Sequence, residues 1–596
     1  MRARSSRPRS SISAITRWAK RRPTWQRPAY RSGSNRNSLC QNGSIPTRTC
    51  GETPQAEGGN CVRGRRPAEC SRLGAREAWL SKGVGEKMSD REIELKLVCE
   101  PAELERVRRA PVLQRLKQGR ASGKHLHSVY FDTDDLVLGD NGMALRLRRH
   151  GRGCVQTLKT EADPSGAGSV ARDIGEYEAR LPGNASTPDL NKLPEDLRAR
   201  VRKLANGHVI APRLVSDIRR TIHNIATPEG DLIELALDRG ELQANGRGAP
   251  VSEIELELKE GTPASLYRIA LDLNEIAELR VGHRSKSERG FALLRRQTPV
   301  AVKAEPVLID AHATLDDAYA IVLRHCLVHM MANEEAAAEH RSPEGLHQMR
   351  VALRRARSAF EIFRPVIGGD LAGRLASEAK WLANELGAAR DLDVFTSDIV
   401  APVELGGARS AALEACIEKA RADAWERALA VLRSRRYTRF LLEYGLFLAE
   451  RGWHTRRKAP AFARDFAVAA LDKRLAKAAK LGRDMENLQG GERHELRKRL
   501  KKLRYALHFF SSLYEQEDVK PYLKYLGQMQ DVFGGLNDVE TAHVILGRLA
   551  EGKEMREAAA RILAFHEKRA AREWKGAIRL WRRFGGAAPF WRENSA

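Results

Sequence analysis

The chain has 596 residues, with 103 Lys and Arg against 77 Asp and Glu and a net charge of +26. That length exceeds a single hydrophobic core and suits three or four units of roughly 150 residues. The charge favours a polyanionic partner, and the lack of any apolar run near ~18 residues argues against a membrane-spanning helix.

Residues 1–87 hold 19 Lys and Arg against 5 Asp and Glu, a net of +14 that leaves +12 for the other 509. Ser, Arg, Pro and Gly dominate there without apolar periodicity, so a disordered basic extension is expected. No apolar stretch follows the basic start, which argues against a secretory signal. Cys40, Cys50, Cys61 and Cys70 lack the paired Cys-x-x-Cys spacing of a zinc module. Cys99, Cys154, Cys326 and Cys416 are scattered, as in a reduced, cytoplasmic protein. Met88, just before the first strand, is a candidate start that would leave the extension untranslated.

Residues 88–296 read as β-rich. Strands are predicted at 91–98, 126–132, 143–150, 153–160, 172–181, 216–225, 231–238 and 251–259. Turn signals separate them: Asp140-Asn141-Gly142, Gly151-Arg152-Gly153 and Pro228-Glu229-Gly230-Asp231. Helices are predicted at 101–119 and 263–279, the second capped by Thr262 with Pro263 in first position. Such a strand count suits a closed antiparallel barrel. A linker follows at 297–311, with Pro299 and Pro306, and 312–590 is rich in Ala, Leu, Arg and Glu at helical period. The class is α+β: an eight-stranded antiparallel tunnel, then an all-α domain of two repeated helical bundles, about 312–450 and 460–590.

The repeat is read from identities. His347, Arg350, Leu353, Arg357, Phe363, Gly387 and Asp391 recur as His494, Arg497, Leu500, Arg504, Phe510, Gly534 and Asp538, at a constant offset of 147. Arg354 maps to Lys501 by the same shift. Within each copy, His347, Arg350, Arg354 and Arg357, or His494, Arg497, Lys501 and Arg504, form one helical stripe. A lone basic stripe is usually a solvated face; a duplicated one suits a repeating polyanion.

In the strands, alternation puts Glu92, Glu94 and Lys96 on one face, with Ile93 and Leu95 on the other. Arg146 with Arg148, Thr157 with Lys159, Glu176 with Glu178, Glu234 with Asp238, and Glu253, Glu255 and Glu257 are likewise in phase. The plain alternative is a solvated sheet with cross-strand ion pairs. Six such strands together point instead to a barrel with charge inside and hydrocarbon outside. Unpaired buried charge is costly, so that interior would be wet and ion-filled. Oxygen-rich clusters suit a hard cation, and Arg and Lys suit phosphate oxygens. Glu257 is in phase too, and a register in which it replaces Glu253 stays open.

These residues resemble the CYTH domain, or triphosphate tunnel metalloenzyme fold. The resemblance rests on Glu92-x-Glu94-x-Lys96, Tyr130-Phe131-Asp132-Thr133, Ala144-Leu145-Arg146-Leu147-Arg148, Leu158-Lys159, Ala236-Leu237-Asp238-Arg239, Glu253-Ile254-Glu255 and Ser285-Lys286, in order. It implies that Glu92, Glu94, Glu253 and Glu255 hold Mg²⁺ or Mn²⁺. Lys96, Arg146, Arg148, Lys159, Arg220 and Lys286 would bind phosphates, and Asp238 and Glu176 would be further inward acids near the metals. Glu92, Glu94, Lys96, Asp238 and Glu176 would form the catalytic group.

The helical half resembles the CHAD domain through its two stripes and the Arg390-Asp391-Leu392-Asp393 and Leu536-Asn537-Asp538 segments. That resemblance implies polyphosphate binding. The pairing resembles bacterial inorganic triphosphatases, implying hydrolysis of tripolyphosphate to pyrophosphate and phosphate in the cytoplasm, with association to polyphosphate granules. Adenylyl cyclase, thiamine triphosphatase and non-catalytic polyphosphate binding are the competing readings. Nucleic-acid binding finds little support, since aromatic residues make up 6% with no stacking motif. Gly119-Arg120-Ala121-Ser122-Gly123-Lys124 misses a P-loop by one residue and by His125 in place of Ser or Thr.

Overall fold

The computed structural model describes residues 90–150, 153–161, 170–295, 298–404 and 408–592. The basic segment 1–87, with its cysteines, lies outside the described residues.

Eight strands close into an antiparallel barrel: β1 (Asp90–Val98), β2 (Lys117–Asp132), β3 (Met143–His150), β4 (Gly153–Glu161), β5 (Arg172–Leu181), β6 (Ala211–Ala226), β7 (Leu232–Ala244) and β8 (Arg247–Glu260). Around the ring the order is β1-β8-β7-β6-β2-β3-β4-β5, and β5 returns to β1. A short β9 (Arg280–Val281) takes the place of β5 along the end of β1, pairing Val281 with Leu97.

Three local differences from the sequence reading have physical causes. The helix predicted at 101–119 is two, α1 (Pro101–Arg108) and α2 (Pro111–Leu116), because Pro111 removes a donor and holds Ala110 at ψ 132°. β2 and β6 run further than predicted, since residues 117–125 are exposed on both faces and carry no alternation. Thr262 does not cap α4 (Ala264–Asn274); Pro263 holds the cap position, and the Thr262 N–H donates to Asp231 Oδ1 at 2.8 Å. The sequence also gave no sign of α3 (Glu195–Ala205) or α5 (Lys286–Arg295).

Hydrocarbon does cover the outside of the barrel. Leu95, Leu97, Leu235, Leu237, Ile254 and Leu256 pack against Val107, Leu113, Leu266, Ile269 and Leu273 of α1, α2 and α4. On the opposite flank Phe131, Leu145, Leu147 and Leu158 meet Val201 of α3. The interior, however, is not charged throughout. Leu126, Tyr130, Leu214, Ile218, Leu242 and Val251 cluster there with Phe291 of α5, which packs on β6, β7 and β8. The expectation of a wholly charged lining fails at this end because α5 brings apolar surface to pair with it. Gly290 allows the approach: a Cβ there would stand 2.2 Å from Leu214 Cδ2. Phe291→Ala should cost about 3 kcal/mol, read as a lower denaturant midpoint at unchanged slope.

The outer core continues without a break into the helical half. Its helices are α6 (Leu315–Met331), α7 (Glu334–Ala338), α8 (Pro343–Phe363), α9 (Asp370–Glu385), α10 (Gly387–Val394), α11 (Ala408–Leu432), α12 (Arg435–Ala449), α13 (Ala463–Leu481), α14 (Gly490–Phe510), α15 (Gln516–Leu549) and α16 (Gly552–Gly585). The two stripe helices, α8 and α14, are both 21 residues long and start at the offset of the sequence repeat. Copies diverge elsewhere: α9 and α10 correspond to the single α15, and a 3₁₀ turn at Gly482–Asp484 stands where the first copy has α7. Part of the predicted linker is clasped to the helices. Val302 N–H donates to Asn333 Oδ1 at 2.8 Å and Ile309 N–H to Ser512 Oγ at 2.8 Å. No helix among the described residues is long and apolar enough to cross a membrane.

Candidate functional site

Strand register assembles the charged interior. Lys96 lies opposite Glu255 and Glu94 opposite Glu257 on β8. Asp238 faces Glu253 from β7 and Arg220 from β6. Arg146 faces Thr157, which faces Glu178, and Lys159 faces Glu176. One parity thus lines the barrel, as the alternation predicts.

Three carboxylates converge at the centre. Oxygens of Asp238, Glu253 and Glu255 all lie within 4.8 Å of one another. The side chains of Asp238 and Glu253 are 0% exposed. Cations surround them. Lys286 reaches Asp238 at 2.7 Å, Glu253 at 2.5 Å and Glu255 at 2.9 Å. Lys96 contacts Glu253 at 3.2 Å and also Glu255. Arg220 grips Asp238 through Nε at 2.7 Å and Nη2 at 2.6 Å, and touches Glu255. Burial alone would raise the Glu255 carboxyl, but Lys286, Lys96 and Arg220 outweigh it and hold it well below the usual range. Burial likewise opposes the charge on Lys96, and Glu253, Glu255 and Glu94 raise it well above its ordinary value.

Glu92 and Glu176 pair with other cations than this trio does. Glu92 pairs with Lys159, which reaches Glu176 at 3.5 Å, and Glu176 also accepts from Arg146 at 3.2 Å. Burial pushes the Glu257 carboxyl up to about 7, opposed by Lys259 and assisted by Glu92 and Glu234. In the register of the structure Glu253, not Glu257, stands beside Asp238.

Arg148 differs from the other tunnel cations. Its Nε donates to Ser128 Oγ at 3.0 Å, a hydroxyl rather than a carboxylate. Burial, then Arg146 and Arg220, bring its guanidinium down to about 10, with Tyr130 and Glu178 opposing. A cation so crowded is poised for an incoming anion.

On the helices the two stripes come together. Burial, then Arg390, Arg354, Arg350 and, from the second copy, Lys501 push His347 down to about 2. Its ring is therefore neutral at pH 7. Arg497 also feels Arg354 across the copies. Not every member is equally available. Arg350 donates to Ala383 O at 3.1 Å and Asp391 Oδ1 at 3.3 Å, and Arg504 to Gln530 Oε1 at 3.0 Å. His494, exposed, bonds Asn537 at 3.0 Å. Arg357 is half-buried, with Glu361 partly supporting its charge. Among the described residues the buried Nε atoms of Arg350, Arg354 and Arg497 have no hydrogen-bond partner.

The family model of the CYTH domain matches residues 90–291, and that of the CHAD domain matches residues 321–547. The chain is a CYTH–CHAD protein. An uncharacterized protein of Mycobacterium tuberculosis is 26% identical over 439 residues, spanning 68% of this chain and 80% of its own. The inorganic triphosphatase of Haemophilus influenzae is 28% identical over 177 residues, 29% of this chain and 47% of its own length. The crystal structure of the CHAD domain from the plant Ricinus communis is 30% identical, with a TM-score of 0.44, over 48% of this chain and 98% of that one.

Some residues of the CYTH tunnel escaped the sequence reading. Arg289 donates to Glu253 Oε2 at 2.8 Å, and Arg172 to Glu288 Oε2 at 2.7 Å. Arg172 carried a signal, being in phase with Glu176 on its strand; Arg289 carried none, because the helix that holds it was not expected. Tyr130 points inward as well. Burial would raise its hydroxyl, yet Arg146, Arg148 and Lys286 bring it below its ordinary value. Arg390, part of the Arg390-Asp391-Leu392-Asp393 segment but not assigned to the stripe from sequence, is buried beside His347 and donates to Pro343 O at 3.4 Å.

Proposed function

We propose that this CYTH–CHAD protein is a metal-dependent triphosphatase that hydrolyses short linear triphosphates, inorganic tripolyphosphate first among them. The observation that carries this reading is the three-carboxylate cluster set beside a cationic wall that includes Arg148, which bonds the Ser128 hydroxyl and, among the described residues, no carboxylate. The name of the Haemophilus influenzae relative, which matches 29% of this chain, supports it.

The hard oxygen donors of Asp238, Glu253 and Glu255 fit Mg²⁺ or Mn²⁺, with Glu94 and Glu92 further along the same wall. A divalent cation bound there would neutralise charge on the phosphate oxygens and lower the pKa of a bound water. Arg146, Arg148, Lys159 and Arg220 would bind and align the anion by charge-assisted bonds. Lys96 and Lys286, now on the carboxylates, would turn toward phosphate as it enters. Water attacks the terminal phosphorus, the bridging P–O bond breaks, and pyrophosphate and phosphate leave. The paired stripes of the CHAD domain would hold longer polyphosphate, in the cytoplasm and at polyphosphate granules.

Phosphate release from tripolyphosphate, ATP and thiamine triphosphate, with Mg²⁺ or Mn²⁺ and with EDTA, tests the reading. Tripolyphosphate should turn over fastest and EDTA should stop the reaction. Equal, slow turnover of all three would sink it.

A further inference from the structure

The segment Leu279–Lys286 is held from both sides. Toward the barrel, Gly282 N–H donates to Lys96 O at 2.9 Å, and a Cβ on Gly282 would stand 2.8 Å from Lys96 Cγ. The segment thus lies against Lys96 and ends in Lys286, two cations that share Glu253 and Glu255. Between Gly282 and Ser285 it has no helix or strand bonds of its own. External contacts must set its course.

Within the barrel domain Arg172 Nη1 donates to His283 O at 3.4 Å and Ser285 N–H to Glu288 Oε2 at 2.6 Å; further contacts come from the CHAD domain. Thr438 Oγ1 of α12 donates to Leu279 O at 2.6 Å. Arg284 Nε lies 2.8 Å from Glu335 Oε2 of α7. His283 Nε2 lies 2.8 Å from Glu334 Oε2, and the same oxygen accepts from Tyr437 Oη at 2.5 Å. A carboxylate only accepts, so His283 Nε2 carries the proton. Glu334 is 12% exposed and Tyr437 is buried, so these bonds sit in a low dielectric where they are directional and strong. α7 itself belongs to the first copy, where the second has only a 3₁₀ turn.

We infer that Glu334, steadied by Tyr437, is a positioning residue for the tunnel, acting through His283 to fix Lys286 and the cover over Lys96. The inference rests on the triphosphatase reading of that tunnel. It makes the helical domain part of the hydrolytic site's framework, apart from any polyphosphate it binds.

The test uses the full chain with Glu334→Ala, Glu334→Gln, His283→Ala and the Glu334→Ala/His283→Ala pair. Glu334→Ala should raise KM for tripolyphosphate about tenfold while kcat changes little, the usual size of effect for a support one shell out. His283→Ala should match it, and the double variant should be no worse than either. Gln keeps an acceptor for both donors and should restore most of the KM. Glu339→Gln, exposed near the end of the same helix, should leave kinetics unchanged. An unmoved KM in Glu334→Ala overturns the inference. So does a loss confined to kcat and Tm, which would mean that α7 only props the fold. If the wild type shows no turnover, the tunnel reading has failed, and calorimetric tripolyphosphate binding decides this one: equal affinity in wild type and Glu334→Ala overturns it.

Discussion

Glu255→Gln should abolish tripolyphosphate turnover, by about a thousandfold or more, while the protein still binds tripolyphosphate in EDTA. Among the described residues Glu255 is the one carboxylate shared by Lys96, Lys286 and Arg220. Replacing it removes a hard donor from the trio and leaves three cations with one fewer anion between them. Loss of a single electrostatic group at a reaction centre costs about 10²–10³ in rate, and a lost metal ligand adds to that. Anion binding should hold or tighten, because the freed cations gain a phosphate partner. Stability should fall by a few kcal/mol, since a mostly buried ion-pair network is broken on one side. Phosphate release, calorimetry with EDTA and a denaturant titration read the three effects. Turnover at the wild-type level would place the chemistry elsewhere; loss of anion affinity together with turnover would make Glu255 a structural prop.

Arg354→Glu combined with Lys501→Glu should weaken long-chain polyphosphate binding by about a hundredfold and leave tripolyphosphate hydrolysis unchanged. These two come from opposite copies and act on the same His347. Arg350 is a poorer probe, because it is bonded to Asp391 and Ala383 and its loss would disturb α8 packing. A charge-assisted bond contributes about 1.5–3 kcal/mol, so losing one or two of them accounts for the factor. The variant should also lose part of the salt dependence, measured by binding at two ionic strengths. Unchanged affinity would return the stripe to an ordinary solvated face, and a parallel fall in hydrolysis would mean that the two domains share one anion path.

How much of this was legible beforehand depends on which rule dominates locally. Strand parity is a local rule, so Glu92, Glu94, Lys96, Arg146, Lys159, Asp238, Glu253 and Glu255 were all assignable to the interior from alternation. The helical repeat was equally local and reappears as α8 and α14. Which charges meet is not local. That Glu92 and Glu176 share Lys159, while Asp238 joins Glu253 and Glu255, follows from barrel register, which no single strand encodes. Phe291 and Arg289 were invisible for a related reason: α5 is a short, charged helix whose insertion into the barrel end is a tertiary event. Pro111 and Thr262 show the reverse failure: the expected helix ran through a proline that breaks it, and the expected cap fell one residue early.

The apolar stopper has a consequence for traffic. Phe291, Leu214, Leu242 and their neighbours pack together at one end of the barrel. On the triphosphatase reading, a linear phosphate would then enter head-on from the other end and its fragments would back out the way it came. Product would have to clear before the next molecule arrived, and a long chain would offer only its tip, never thread through.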